Sequence, residues 1–185
     1  MEVFNNKAWN DIADRNGIVY YGYYHKYRLP DGNINMDFYA DKISGLILDV
    51  KDRDERGLNF FFNQLQGEIN DGITICVVPG HWASTENNSG VAILARRLAS
   101  TNDRIDAVDY IIRTKTIAKL AKGGNRDINI QRATLGVNPD MSITGSVILL
   151  VDDVTTSGNS LLACKELLLE HGAKDVAMFA LGKSI

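Results

Sequence analysis

Hydrophobic spacing divides the chain near residue 72. Before that point apolar residues recur mainly at helical intervals; after it, short apolar runs alternate with helical stretches. Val3, Phe4, Ala8, Trp9 and Ile12 predict an amphipathic amino-terminal helix ended by Gly17. Residues 18–39 carry most of the tyrosines and predict a hairpin that turns at Pro30-Asp31-Gly32. Ile43, Leu46, Ile47 and Val50 predict one helix, and Leu58, Phe61, Phe62, Leu65 and Ile69 a second, separated by the charged break Lys51–Arg56. From there the pattern predicts a strand at Ile73–Val78, a helix at Gly90–Ser100, and strands at Val108–Ile112 and Val147–Val151. A helix at Leu161–Glu170 and a last strand at Val176–Leu181 follow. Strand–helix alternation with continuous apolar strands implies an α/β fold: a parallel central sheet flanked by helices on both faces. Residues 1–72 are expected to form a hood and flank, and 73–185 the core, of one compact domain.

Composition narrows the partners. The chain has 185 residues, 45% of them apolar, which suffices for a single core. Its net charge is −3 with no long basic tract, so nothing favours a nucleic-acid partner. No apolar run approaches the roughly 20 residues that span a bilayer. The start, MEVFNNKAWNDIADRNG, lacks the basic and apolar regions of a secretion signal. Cys76 and Cys164 fall in a predicted strand and a predicted helix, as buried reduced thiols would. These features imply no membrane partner and a cytoplasmic location.

The chemistry concentrates in Ile148–Ser160, ILLVDDVTTSGNS. Ligands of open α/β sheets collect beyond the carboxyl ends of such strands, where Asp152 and Asp153 stand. Ionised carboxylates only accept hydrogen bonds, so the pair suits two vicinal hydroxyls, as on ribose. Thr156, Ser157, Gly158, Asn159 and Ser160 then bring backbone N–H groups and hydroxyls to a helix amino terminus, a natural anion site. Gly158 permits a tight turn and a close approach to phosphate. Helix capping would account for one hydroxyl residue, not for two aspartates and four hydroxyls together.

This stretch resembles the PRPP-binding motif of the type I phosphoribosyltransferases, and the strand–helix order from about residue 73 fits that family's core. Receiver domains of response regulators also carry a strand ending in Asp-Asp, but near the start of the domain; here only residues 154–185 follow the pair. The resemblance implies that Asp152 and Asp153 hold the ribose hydroxyls and that Thr155, Thr156, Ser157, Gly158, Asn159 and Ser160 form the ribose-phosphate site. It implies that the loop Pro79, Gly80, His81 meets pyrophosphate, often through a strained or cis peptide. Arg113 and Lys115, at the end of a predicted strand, are the candidate catalytic cations. The segment with Lys119, Lys122, Gly123, Gly124 and Arg126 has the charge and glycines of a lid. Arg113-Thr114, Arg126 and Asn129 are similar to the outline of the competence-associated ComF-type group, without that group's four-cysteine zinc module.

The implied reaction is transfer of a 5-phosphoribosyl group from PRPP to a nitrogen base or amine, with release of pyrophosphate. Mg²⁺ would be held mainly by the ligand, with no metal site made by the protein alone. The alternative is a non-catalytic PRPP-binding sensor, which the long loop VPGHWAST favours and the basic segment after Arg113 disfavours. Enzymes of the family that use 6-oxopurines commonly carry an aspartate where this chain has Thr156. Hypoxanthine or guanine is therefore a weaker expectation than orotate, uracil, adenine or an amine. Family members are often dimers, so a homodimer is one open assembly.

Overall fold

The computed structural model describes residues 2–117 and 128–185. In chain order the elements are α1 (Lys7–Asp11), β1 (Ile18–Tyr24), α2 (Met36–Ala40), α3 (Lys42–Asp52), α4 (Glu55–Leu65), β2 (Thr74–Val77) and α5 (Gly90–Ala99). These are followed by β3 (Ile105–Asp106), β4 (Ile111–Arg113), α6 (Ile128–Arg132), β5 (Leu135–Val137), β6 (Val147–Thr155), α7 (Asn159–Glu170) and β7 (Asp175–Ser184). Lys119, Lys122, Gly123, Gly124 and Arg126, the expected lid residues, lie outside the described residues.

Five strands make one sheet in the order β1-β7-β6-β2-β3, with every neighbouring pair parallel. Alternation along the strands explains why they read as unbroken apolar runs. Val19, Ile75, Val77, Leu149, Val151, Phe179 and Leu181 face one core, shared with α3, α4 and α5. Ile18, Cys76, Ile148, Leu150, Met178 and Ala180 face a second, shared with Leu161, Cys164, Leu167 and Leu168 of α7. Both cysteines are free and buried, and burial raises the pKa of each thiol, that of Cys164 to about 12. No helix among the described residues is long and apolar enough to cross a membrane.

Three expected elements take a different form. The amino-terminal helix does not run to Gly17 but spans only Lys7–Asp11, with Ile12 already extended and Phe4 in an antiparallel bridge to Ile69. The tyrosine-rich stretch is not a hairpin: β1 pairs in parallel with β7, and a single antiparallel bridge, Arg28 to Ile34, flanks the Pro30-Asp31-Gly32 turn. Parallel pairing wins because it buries Ile18 and Val19 against opposite cores, whereas an isolated two-stranded ribbon buries little. The amino-terminal region thus supplies an edge strand of the main sheet as well as two helices on its flank. The strand expected at Val108–Ile112 is displaced: residues 108–110 form a turn, with β3 ending just before them and β4 overlapping only Ile111 and Ile112. β3 joins the main sheet, while β4 leaves it and pairs antiparallel with β5. Val108 and Tyr110 are buried all the same, which is why the pattern reads as a strand.

Candidate active site at the carboxyl edge of the sheet

β6 runs past its apolar run to Thr155, because β7 keeps pairing with it: Asp152 lies opposite Ala180, Val154 opposite Gly182 and Thr155 opposite Lys183. Both aspartates therefore have strand geometry, and the chain then turns into α7. A cleft of about 340 Å³ opens there. It is lined by both aspartates, by every residue from Thr155 to Ser160, and by Pro79, Gly80, His81 and Arg113. Residues distant in sequence join them: Tyr24, Lys26, Lys51, Ile117, Gln131 and Ser184. Lys115 is exposed and is not among the lining residues.

The loop before α7 is open to a ligand. Helices α1 to α5 are each capped by a side chain, from Asn6, Asn35, Asp41, Asp54 and Ser89 respectively. α7 begins at Gly158 with no side-chain cap. The Asn159 amide approaches Ser157 Oγ only at 3.5 Å, and the helix dipole at this end favours an anion. Gly158 is required twice over: φ is +85°, and a Cβ there would sit 2.6 Å from Ile18 Cδ1 and 3.2 Å from Asn16 Nδ2. The amino-terminal loop braces this turn, with Asn16 donating to the Ser157 carbonyl at 3.2 Å. Lys183 in turn pairs with Asp14 at 2.7 Å.

The aspartates differ. Asp152 Oδ1 accepts the Asp153 amide at 2.8 Å, and Asp153 Oδ1 accepts the Val154 amide at 2.5 Å. Burial raises the Asp152 pKa well above the usual carboxylate range, and the adjacent Asp153 charge raises it further; the Asp153 amide and Lys51 act the other way. Asp152 is half-buried in the cleft wall, so its carboxyl is walled by protein yet borders the opening. Asp153 Oδ2 has the Lys51 ammonium 3.8 Å away.

Arg113 sits in the cleft wall but presents little of itself, being 4% exposed. Its guanidinium donates to the carbonyls of Gly80 at 3.0 Å and Pro79 at 3.4 Å, to Thr134 Oγ1 at 2.7 Å and to Gln131 Oε1 at 3.4 Å. Burial lowers its pKa from the ordinary guanidinium value. This arginine holds the Pro79–His81 loop in shape. Because Arg113 only donates, it fixes Gln131 with Oε1 toward it. Gln131 Nε2, in a side chain 1% exposed, then has no hydrogen-bond partner among the described residues. All described peptide bonds are trans, and Gly80 has an ordinary φ with nothing within 4 Å of a built Cβ. The expected unusual turn at Pro79-Gly80 is therefore not formed, since Arg113 secures the loop through its carbonyls. The imidazole of His81 packs against the Trp82 ring at a tilt of 41°, with ring centroids 5.0 Å apart.

Lys51, Lys26 and Gln131 escape sequence reasoning because each reaches the cleft from an element that reads as ordinary. Lys51 belongs to a charged break, Lys26 to the tyrosine stretch, and Gln131 to a five-residue helix. Among the described residues no cluster of three His, Cys, Asp or Glu could hold a metal. The Asp152–Asp153 pair does suit the edge of a hard, oxygen-preferring cation that takes its remaining oxygens from a ligand.

A parallel sheet with a carboxylate pair and an uncapped helix at its carboxyl edge is an α/β architecture whose edge offers acceptors suited to a diol and donors suited to an anion. The model of the phosphoribosyl transferase domain matches residues 90–182, and the chain belongs to that family. It is a transferase of the pentosyl-transferring class. Similar solved structures include a hypoxanthine phosphoribosyltransferase from Staphylococcus aureus, with 13% identity, covering 75% of this chain and 74% of that one at a TM-score of 0.40. A hypoxanthine-guanine phosphoribosyltransferase from Bacillus anthracis has 16% identity, covering 78% and 79% at 0.37. A purine phosphoribosyltransferase from Pyrococcus horikoshii has 15% identity, covering 77% and 85% at 0.37. None of the curated proteins matches the chain.

Proposed function

We propose that this protein transfers the 5-phosphoribosyl group of PRPP to a nitrogen acceptor and releases pyrophosphate. The observation that carries this reading is the uncapped start of α7 directly after the Asp152–Asp153 pair, in one cleft. Asp152 and Asp153 accept hydrogen bonds from the ribose 2- and 3-hydroxyls. The amides and hydroxyls of Thr155–Ser160 hold the 5-phosphate. The loop Pro79, Gly80, His81 meets the pyrophosphate, and Arg113 keeps that loop in shape rather than touching the ligand. Lys115, outside the cleft wall, is at most a distant cation for the leaving group. Asp152 and Asp153 would hold the edge of a Mg²⁺ ion bound with the ligand, and that ion would supply positive charge against the departing pyrophosphate. The same reading places the protein in the cytoplasm, in nucleotide metabolism, and is compatible with a homodimer.

Calorimetric titration with PRPP, with and without Mg²⁺, followed by a pyrophosphate-release assay over pooled bases and amines, tests it. The expected result is Mg²⁺-dependent binding and release with one pool. Asp152→Asn combined with Asp153→Asn should weaken PRPP binding strongly, and unchanged affinity would sink the ribose assignment. Binding without release from any pool would remove the transfer step.

A further inference from the structure

The sheet order fixes directions within the cleft. The Pro79–His81 loop leaves β2 on one side of β6, while β7 and then β1 lie on the other. Displacement at a sugar carbon with inversion requires the entering nitrogen to arrive opposite the leaving pyrophosphate. If pyrophosphate lies on the β2 side, the acceptor comes in over the carboxyl ends of β7 and β1. The cleft there is lined by Tyr24, Lys26, Lys51 and Ser184.

That side is cationic. The Lys51 ammonium lies 3.8 Å from Asp153 Oδ2 and 4.8 Å from the centroid of the Tyr24 ring. Beyond that ion pair and ring contact it makes no hydrogen bond among the described residues, so it borders the cleft with N–H donors to offer. Its backbone seat is tight: a Cβ on Gly90 would fall 1.6 Å from the Val50 carbonyl, so the start of α5 abuts the end of α3. Lys26, exposed just beyond β1, adds a second cation. No carboxylate stands at Thr156 to take a proton from an acceptor.

We propose that the acceptor site lies over the ends of β1 and β7, and that Lys51 and Lys26 select an acidic, oxo-substituted nitrogen heterocycle bound as its anion. This assignment rests on the phosphoribosyl-transfer reading and names its second substrate class. Such an acceptor loses its ring proton to solvent on binding, because two ammonium groups favour the anion. Its nitrogen lone pair then forms the N–C1 bond, and the C1–O bond breaks with its electron pair leaving on pyrophosphate. The step needs no general base in the protein, which matches the residue at position 156.

The test is pyrophosphate release with PRPP and Mg²⁺ against uracil and orotate on one side and adenine and a simple amine on the other. These are run on the wild type and on Lys51→Met, Lys51→Arg and Lys26→Met. Turnover is expected with a member of the acidic set. Lys51→Met should lower kcat/KM for that acceptor by about 10- to 100-fold, the usual range for a lost charged hydrogen bond. PRPP affinity should fall much less, and Lys51→Arg should retain most activity. Lys26→Met, at an exposed position, gives the same readout should Lys51→Met fold poorly. Turnover confined to adenine or the amine, no reaction with any acidic acceptor, or equal losses for PRPP and acceptor would each overturn the proposal. Failure of the wild type to bind PRPP would instead overturn the transfer reading beneath it.

Discussion

The two loops that face each other across the cleft are built on opposite plans. The loop between β6 and α7 starts its helix at Gly158 without a side-chain cap, and its main braces come from outside, at Asn16 and Ile18. The loop between β2 and α5 spends its polar groups on its own shape. Arg113 takes the Pro79 and Gly80 carbonyls, and the His81 carbonyl accepts from the Ile117 amide at 2.9 Å. Ser84 pairs with Arg113 through both backbone groups, and the Ala83 amide donates to Thr116 Oγ1 at 3.0 Å. Asn87 is fixed by Asp109, itself paired with Arg96 at 2.7 Å. One loop is made to receive a ligand; the other is made to be a wall. Buried or half-buried polar groups that are satisfied internally cost little, while unsatisfied ones at a cleft favour whatever can pair with them.

Filling the receiving loop should have the largest effect. Gly158→Val places a β-branched residue at φ +85° and a Cβ against Ile18 and Asn16. Binding of ribose 5-phosphate should fall at least about 100-fold, equivalent to roughly 2.7 kcal/mol. Calorimetry measures it, and retention of affinity would show that the α7 amides are not the phosphate site. Breaking the wall should come next. Arg113→Met leaves several acceptors without their donor, at a folding cost of about 2–4 kcal/mol by urea titration. Pyrophosphate affinity should drop about 10-fold while ribose 5-phosphate affinity changes much less. Arg113→Lys should not restore it, because one ammonium cannot span the positions a guanidinium fork reaches. Equal losses of both ligands would erase the distinction between the two loops.

The same contrast explains what the sequence made readable. The receiving loop is contiguous, so Asp152 to Ser160 announces itself as apolar run, acids, hydroxyls and glycine. The wall depends on pairs well separated in sequence, 33 residues for Arg113 with Gly80 and 13 for Arg96 with Asp109. No local pattern encodes those. Central strands β2, β6 and β7 were legible because both their faces are covered. β1 reads as half a hairpin, since a tyrosine-rich run beside a Pro-Asp-Gly turn has the local signature of one, while its partner β7 lies far along the chain. Lys51 was unreadable for the same reason: helical periodicity reports which face is buried, not which distant carboxylate its end approaches.

Acid titration sharpens the comparison from inside the receiving loop. The folded protein holds a proton at Asp152 more tightly than the unfolded chain does, because burial and Asp153 disfavour the second charge. The stability this contributes is fully present below the ordinary carboxylate pKa of about 3.9 and is lost as pH rises through the raised folded value. Near neutral pH the ionised group therefore works against the free protein. Asp152→Asn, which can still accept the Asp153 amide, should melt higher than the wild type at neutral pH, with the gap closing toward pH 4. A lower melting point at neutral pH would contradict the burial argument. The cost in function should appear as weaker ribose 5-phosphate binding by the same variant.

Lys115 sets the smallest expected effect and marks where the wall ends. It follows β4 but is exposed and off the cleft, while Arg113 two residues earlier is buried in it. A lone exposed ammonium contributes roughly 0–1 kcal/mol to any ion pair it makes and is screened by salt. Lys115→Ala should therefore leave ribose 5-phosphate binding unchanged and slow pyrophosphate release by less than about 5-fold, an effect that shrinks further at high ionic strength. Pre-steady-state release measured at low and high salt separates the cases. A large, salt-insensitive slowing would mean that Lys115 enters the cleft during turnover, so that the segment after β4 carries a reactive cation rather than only anchoring the wall.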